Sequence, residues 1–404
     1  MGERNSGLRA IGRDRLVLLG YVTGGHFAVH WFGQLFPLIL EPLKVALRLS
    51  YVQVGALTTM RELTTGLVNL PAGLLGDRLA RHRTAILSSA LLAMGLAYFI
   101  FGMASTYLYA LVAAGLVGAG IALWHPTAMA SLSSRFPEHR ATAFAVHGMG
   151  ATVGDTLTPV VVGLLFVLYP WRPIMALQLV LAVLVGIPLW LGLRGVFRTQ
   201  AAASGGGGGQ AAAVGEFLRN PAFLGMALAN GLMNTGRVLV MTFFPLYVIE
   251  TLGYSYTGVG TYYALLHVMG TVSQPFLGYL SDRLGRKWVL VPAFLMLAVL
   301  YTLVPLVDAG IPLGIVVTLI GLFFYTLTNV TAAAIVDVAG SRIQATSLGI
   351  TFLSNSLFTL PGPVIGGYLV EHYGMGSVFY LCGALLLAAA AVITPLKLYR
   401  GWGR

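Results

Sequence analysis

From Leu16 to Leu396 the chain lays down one apolar stretch after another, leaving little for any soluble domain. Each stretch is close to the roughly 20 residues that carry a helix across a bilayer. Of the 404 residues, 57% are hydrophobic and only 9% are charged, whereas a soluble domain carries about a quarter charged residues. With a mean hydropathy of +0.83, such a chain cannot keep its surface in water. An all-α polytopic membrane protein is the expected fold class.

Charged residues and Gly/Pro punctuation divide the apolar runs into twelve transmembrane helices, with the tenth expected over 312–338 and the eleventh over 343–370. The one low-complexity stretch, Ala201 to Ala213 around Gly205–Gly209, has the composition of a flexible coil. It separates an N-terminal six-helix bundle over 1–194 from a C-terminal one over 220–404, with a flexible cytoplasmic linker over 195–219. The net charge of +11 could suggest nucleic acid, but that requires a basic face on a soluble fold, and no nucleic-acid partner is expected. With both termini in the cytoplasm, nearly all the basic residues fall inside, and only Lys44, Arg48 and Arg172 fall outside. That bias orients a multi-pass protein of the cell inner membrane. The basic N-terminus leads into a run too long for a cleaved signal. The single Cys382 excludes an internal disulfide.

The halves repeat each other. Gly73-Leu74-Leu75-Gly76-Asp77-Arg78-Leu79-Ala80-Arg81 returns as Gly278-Tyr279-Leu280-Ser281-Asp282-Arg283-Leu284-Gly285-Arg286, with Gly73 and Asp77 both displaced by 205 residues. Phe36-Pro37-Leu38 matches Phe244-Pro245-Leu246, and Ser50-Tyr51 matches Ser255-Tyr256. Internal repeats of this kind are the mark of secondary transporters.

The Gly-x-x-x-Asp-Arg-x-Gly-Arg-Lys pattern between the second and third helix of each half resembles the loop signature of the major facilitator superfamily. The C-terminal copy is complete, and the N-terminal copy has Ala80 in place of glycine. The resemblance implies two pseudo-symmetric six-helix halves in the major facilitator fold. Asp77, Arg78, Arg81, Asp282, Arg283 and Arg286 would then latch a cytoplasmic gate. Within that superfamily the chain is most similar to bacterial efflux proteins of the fosmidomycin-resistance type. The residues carrying that likeness are His26-Phe27, Leu49-Ser50-Tyr51-x-Gln53-Val54-Gly55, Trp124-His125-Pro126, Arg140 and Thr242-Phe243-x-Pro245-Leu246-Tyr247. His30 and the Arg61-Glu62 pair depart from that family.

Ionisable groups deep in a membrane helix are costly, so each is a functional candidate. His26, His30 and Gln34 recur every fourth residue and line one face of the first helix. Asn234 and Arg237 share a face of the seventh. First helices line the cavity in the superfamily, so the resemblance places these groups around the substrate, with Arg61, His125 and His267 as further candidates. Arg61 and Glu62 are adjacent and point about 100° apart, which favours Arg61 facing inward as an anion donor. Glu62 and Asp155 are the candidate proton carriers, because burial disfavours a charged carboxylate. Asp155 lies in Gly150-x-x-x-Gly154-Asp155, ahead of Pro159, which resembles the fifth-helix motif of antiporters. A metal site on the His26/His30 pair is not expected, since no thiolate or acid lies near it in sequence. No cofactor is expected.

No nucleotide-binding loop of the Walker type is present, which argues against a pump powered by ATP. No catalytic dyad of a membrane enzyme stands out. The expected function is secondary active transport, as proton-coupled efflux by antiport of a small anionic or zwitterionic compound. A proton-coupled symporter for a small carboxylate is the alternative. The expected partners are a small-molecule substrate, protons and the lipid bilayer, with the protein working as a monomer.

Overall fold

The computed structural model describes residues 12–78, 80–196, 215, 219–339 and 344–398. Within them the twelve spans are built from fourteen α-helices. The first six spans are α1 (Arg13–Leu47), α2 (Tyr51–Arg78), α3 (Arg83–Met103), α4 (Tyr107–Arg135), α5 (Arg140–Leu168) and α6 (Trp171–Leu193). The other six begin with α7 (Pro221–Leu246), α8 (Tyr256–Leu284) and α9 (Arg286–Leu303). They continue with the pair α10 (Ile311–Phe324) and α11 (Thr326–Ala339), the pair α12 (Gln344–Thr359) and α13 (Gly362–Tyr373), and α14 (Gly376–Ile393).

Among the described residues, eight helices are long and apolar enough to cross a membrane on length and composition. Outside that group are the short α12 and α13, and also α1, α2 and α8, the helices that carry His26, His30, Arg61, Glu62 and His267. Large apolar side chains such as Leu108, Leu184, Val272 and Ile311 remain exposed, as lipid-facing groups do. The tenth and eleventh spans are not continuous. The tenth breaks at Tyr325 and the eleventh at Leu360–Pro361, where proline supplies no N–H to continue a helix.

Compactness divides the chain into two units that cut through helices. One comprises Met1–Phe36, Leu67–Thr158 and Pro170–Ser204, and the other Pro37–Gly66, Pro159–Tyr169 and Gly205–Arg404. Residues 197–214 and 216–218, most of the expected linker, lie outside the described residues.

Lipid tails are as apolar as leucine, so close backbone approach, more than apolar burial, holds helices together in a membrane. In the first unit α1, α4 and α5 meet through small residues. A β-carbon at Gly25 would lie 2.1 Å from the ring of Trp124, which is fully buried, and one at Gly154 would lie 2.7 Å from the Phe27 carbonyl oxygen. Trp31 donates to Gln178 Oε1 at 2.9 Å, tying α1 to α6.

In the second unit the ends of α2 and α5 remote from the Asp-Arg loops pack on α13 and α8. A β-carbon at Gly55 would come within 2.0 Å of the Pro363 carbonyl oxygen, and at Gly260 within 2.4 Å of that of Pro159. At Gly367 it would lie 2.3 Å from the Tyr51 carbonyl oxygen, and at Gly163 2.5 Å from that of Tyr256. These four contacts are two repeat-related pairs. Two hydrogen bonds follow the same symmetry: Tyr51 donates to Glu250 Oε2 at 2.5 Å, and Tyr256 donates to Glu41. Lys44 adds an ion pair to Glu250 at 3.3 Å, and Glu371 Oε1 accepts from the Val52 backbone N–H at the start of α2.

Candidate functional site

The sequence candidates fall into two clusters, one in each unit. In the first, the four-residue spacing puts His26 and His30 on one face of α1, with ring centroids 4.6 Å apart. The close α1–α4 approach at Gly25 and Trp124 brings His125 in from α4, 5.4 Å from His26 and 5.8 Å from His30. His147 on α5 stacks flat on His26 at 3.8 Å. The α1–α5 approach at Gly154 sets Asp155 against α1, where Oδ1 pairs with His30 Nδ1 at 2.9 Å and accepts from Gln34 Nε2 at 2.9 Å. Asp155 is therefore held across the helix interface by His30 and Gln34 of α1.

In the second unit, Arg61 Nη2 and Nε both donate to Glu62 Oε1, at 2.5 and 3.1 Å. Both side chains are largely buried, at 16% and 15% exposure. Adjacent Cα–Cβ vectors do diverge, but the long guanidinium stem of Arg61 folds back to its neighbour, so the two groups act as one pair. The pair sits near the middle of the 28-residue α2. Thr64 and Thr65 donate to the Arg61 and Met60 carbonyls, so their hydroxyls are engaged by their own helix.

Around this level, Arg237 on α7 lies over the rings of Phe324 and Tyr325 at 5.1 and 5.5 Å and donates to Thr328 at 3.3 Å. From the break between α10 and α11, the Tyr325 hydroxyl reaches His267 Nδ1 on α8 at 2.5 Å. Asn234 donates to Thr359 at 3.1 Å. The Tyr263 ring neighbours His267 at 5.9 Å. Neither Tyr263 nor Tyr325 is among the candidates that the sequence offers. Their spacing carried no signal, because the contact depends on which helices stand opposite.

At the loops, Arg286 opens α9 and donates from Nε to Asp337 Oδ2 at 2.9 Å, from Nη1 to Ser281 at 3.2 Å, and to Asp282. One guanidinium thus ties α8, α9 and α11. Arg283 and Arg81 are exposed, and the side chains of Asp77 and Arg78 lie outside the described residues. Outside the membrane spans, Glu138 pairs with Arg15 at 3.3 Å. Its own backbone N–H and then Arg15 hold the Glu138 carboxyl below the usual carboxylate range.

The Arg286 cluster supports a prediction. Asp282→Asn should slow turnover several-fold while substrate affinity stays within a few-fold, because a latch biases conformations without touching ligand. Initial rates set beside equilibrium binding check it. Unchanged rates in this variant and in Arg286→Gln would remove the latch role.

The family profile of the Major Facilitator Superfamily matches residues 22–273 and 227–400. The multidrug resistance protein MdtG of Proteus mirabilis is 33% identical over 164 residues, 38% of this chain and 39% of that protein. The chain therefore spans about two fifths of the length of these curated relatives. Monocarboxylate transporter 12-B of Danio rerio is 23% identical over 87% of this chain and 80% of its own length. Among solved structures, an inward-facing, unoccupied bacterial homologue of the human lysosomal transporter Spinster superposes with a TM-score of 0.75, at 16% identity, covering 94% of this chain and 95% of that one. The nucleoside transporter NupG superposes at 0.74, with 14% identity, over 94% and 99%.

Proposed function

Because this chain belongs to the Major Facilitator Superfamily, we propose that it is a proton-coupled secondary transporter of a small organic anion. Arg61 and Arg237 serve as the cationic recognition groups and Glu62 as the proton carrier. The observation that carries this reading is the mid-helix Arg61–Glu62 pair, joined at 2.5 Å. Each charge is tolerated at that depth because the other neutralises it.

An incoming carboxylate competes with Glu62 for Arg61. Once it wins, Glu62 loses its counter-charge in a low-dielectric setting, where the neutral acid is favoured. Anion and proton then load together, which is co-transport. A zwitterion reverses the sign, since its ammonium group can replace the proton on Glu62 while its carboxylate takes Arg61. That second reading gives exchange against protons, as the sequence alone suggested. The multidrug resistance relatives and the likeness to fosmidomycin-resistance efflux proteins support it, whereas the monocarboxylate transporter relative supports the first. We assign the proton to Glu62 in preference to Asp155 because His30 and Gln34 already hold Asp155.

His267 and Asn234 stand with Arg237 around the anion, while His26, His30, Gln34 and His125 line the first-half bundle. The two six-helix halves alternate access about this level, in an inner membrane with both termini cytoplasmic. The protein works as a monomer.

Counterflow and gradient-driven uptake in proteoliposomes test the coupling. Glu62→Gln should still exchange labelled for unlabelled carboxylate but lose accumulation driven by a pH gradient. Accumulation that survives in Glu62→Gln would sink the assignment. For the protein as it stands, a carboxylate that accumulates towards the alkaline side supports co-transport, and one driven towards the acidic side supports exchange.

A further inference from the structure

The histidine cluster of the first unit has a feature that the transport reading does not use. In His26, His30 and His125 the Nδ1 atom faces an oxygen in every case. His26 Nδ1 lies 2.9 Å from the His147 carbonyl oxygen, His30 Nδ1 2.9 Å from Asp155 Oδ1, and His125 Nδ1 3.0 Å from the Ile121 carbonyl oxygen. An oxygen partner fixes the proton on Nδ1, so the neutral ring presents its Nε2 lone pair to the other side. A carbonyl or carboxylate behind each imidazole is the arrangement that orients and strengthens histidine ligands of a metal.

Three rings from two helices are held this way, and one nitrogen from each lies within 4.8 Å of the others. His26 Nε2 is buried with no hydrogen-bond partner among the described residues, so a lone pair is kept from water with nothing to accept from. We infer that His26, His30 and His125 form a three-histidine site for a borderline divalent cation of the zinc class, with the fourth coordination position open.

Imidazole nitrogen suits zinc, cobalt, nickel and copper, not the hard alkaline-earth ions. Tetrahedral bonds of 2.0–2.1 Å separate the ligand nitrogens by roughly 3.3 Å, so the rings need to close by about 1.5 Å at most from the present spacing. His147 cannot join them as a ligand in this arrangement, since its ring lies parallel to His26 at an interplanar angle of 5°. It backs the site instead, through its carbonyl. The open fourth position faces the half-buried side of the cluster, where His30 and His125 are both partly accessible. A water molecule or a carboxylate could complete the shell there. In sequence, no thiolate or acid lies near the His26/His30 pair. The fold supplies His125 from α4 and Asp155 from α5.

The site is tested with the full chain, free of any affinity tag, in detergent or nanodiscs, by titrating Zn2+ calorimetrically and Co2+ optically. Cys382 is fully buried and is the chain's single thiol, so no accessible thiolate competes. The expected result is one tight site per chain, pseudo-tetrahedral ligand-field bands for Co2+, and affinity at least 10-fold weaker in His125→Gln and in His26→Gln. His372→Gln, which removes an exposed histidine at the end of α13, should bind as the unaltered protein does. Equal affinity in the unaltered protein and in the His26→Gln/His125→Gln double variant would overturn the site. Should those variants fail to fold, X-ray absorption on the zinc-loaded unaltered protein decides, since fewer than three imidazole ligands at the metal also overturns it. Binding is the readout throughout, so the result is independent of whether Glu62 couples transport to protons.

Discussion

Arg61→Gln is expected to weaken binding of a small carboxylate by about 1.5–3 kcal/mol, the scale of a hydrogen bond to a charged group. In dissociation constant this is roughly 10- to 150-fold. The substitution also strips Glu62 of the counter-charge it holds at 2.5 Å, and a lone carboxylate at mid-helix depth takes up a proton instead of staying charged. Two signatures should therefore appear together, namely weak anion binding and transport that no longer responds to the pH gradient. Arg61→Lys keeps the charge but loses the planar fork that grips a carboxylate with two N–H groups, so it should recover only part of the affinity. Arg237→Gln should cost less, because one of its contacts is the face of Phe324 and Tyr325. Isothermal titration with a carboxylate and with an isosteric amine checks this. Equal loss for both ligands would show a folding defect or a purely structural ion pair.

The second large effect is expected at the glycine contacts of the second unit. Gly367→Val and Gly163→Val place a branched side chain where even a β-carbon would lie 2.3 or 2.5 Å from a carbonyl oxygen. Backbone cannot yield as a flexible side chain does, so the packed arrangement of α2 against α13, or of α5 against α8, should be lost from the ensemble. Turnover should fall more than 10-fold in each variant. A reporter cysteine at Val52, in a background with Cys382→Ser, should become accessible to a water-soluble maleimide in Gly367→Val. Because the two positions are repeat-related, the variants should resemble each other in rate. Normal turnover in both would mean that the contact is not part of the transport cycle.

Much of this architecture is legible in the sequence because it depends on local periodicity. Apolar length locates the spans, and the repeat of Asp77-Arg78 as Asp282-Arg283 locates the paired loops. The His26/His30/Gln34 face follows from helical spacing alone. What escapes is everything set by which helix stands opposite. Asp282 reads as a latch residue from the repeat, but its link through Arg286 to Asp337 on α11 needs three helices in place. His125 lies far from His30 in the chain, and Gly25 and Trp124 decide their approach. The Tyr51–Glu250 and Tyr256–Glu41 bonds are half legible, since Ser50-Tyr51 and Ser255-Tyr256 match as repeats. Their acid partners show no matching pattern, because the π turn Tyr247–Thr251 shifts the register of Glu250. The break at Tyr325 carries no proline or glycine to mark it, whereas Pro361-Gly362-Pro363 marks the other within the span expected over 343–370.

The four-glycine seam also bears on thermodynamics. When ordinary surfaces come together, each long side chain that is pinned gives up rotamer entropy, up to about 2 kcal/mol for the longest. Glycine has none to give. A seam closed by backbone against backbone therefore engages and releases with almost no side-chain ordering, and its balance rests on the few groups that do carry freedom, chiefly Lys44, Glu41, Glu250 and the two tyrosines. Opening and closing such a seam should depend only weakly on temperature, while a single hydrogen bond at its margin is enough to shift the population.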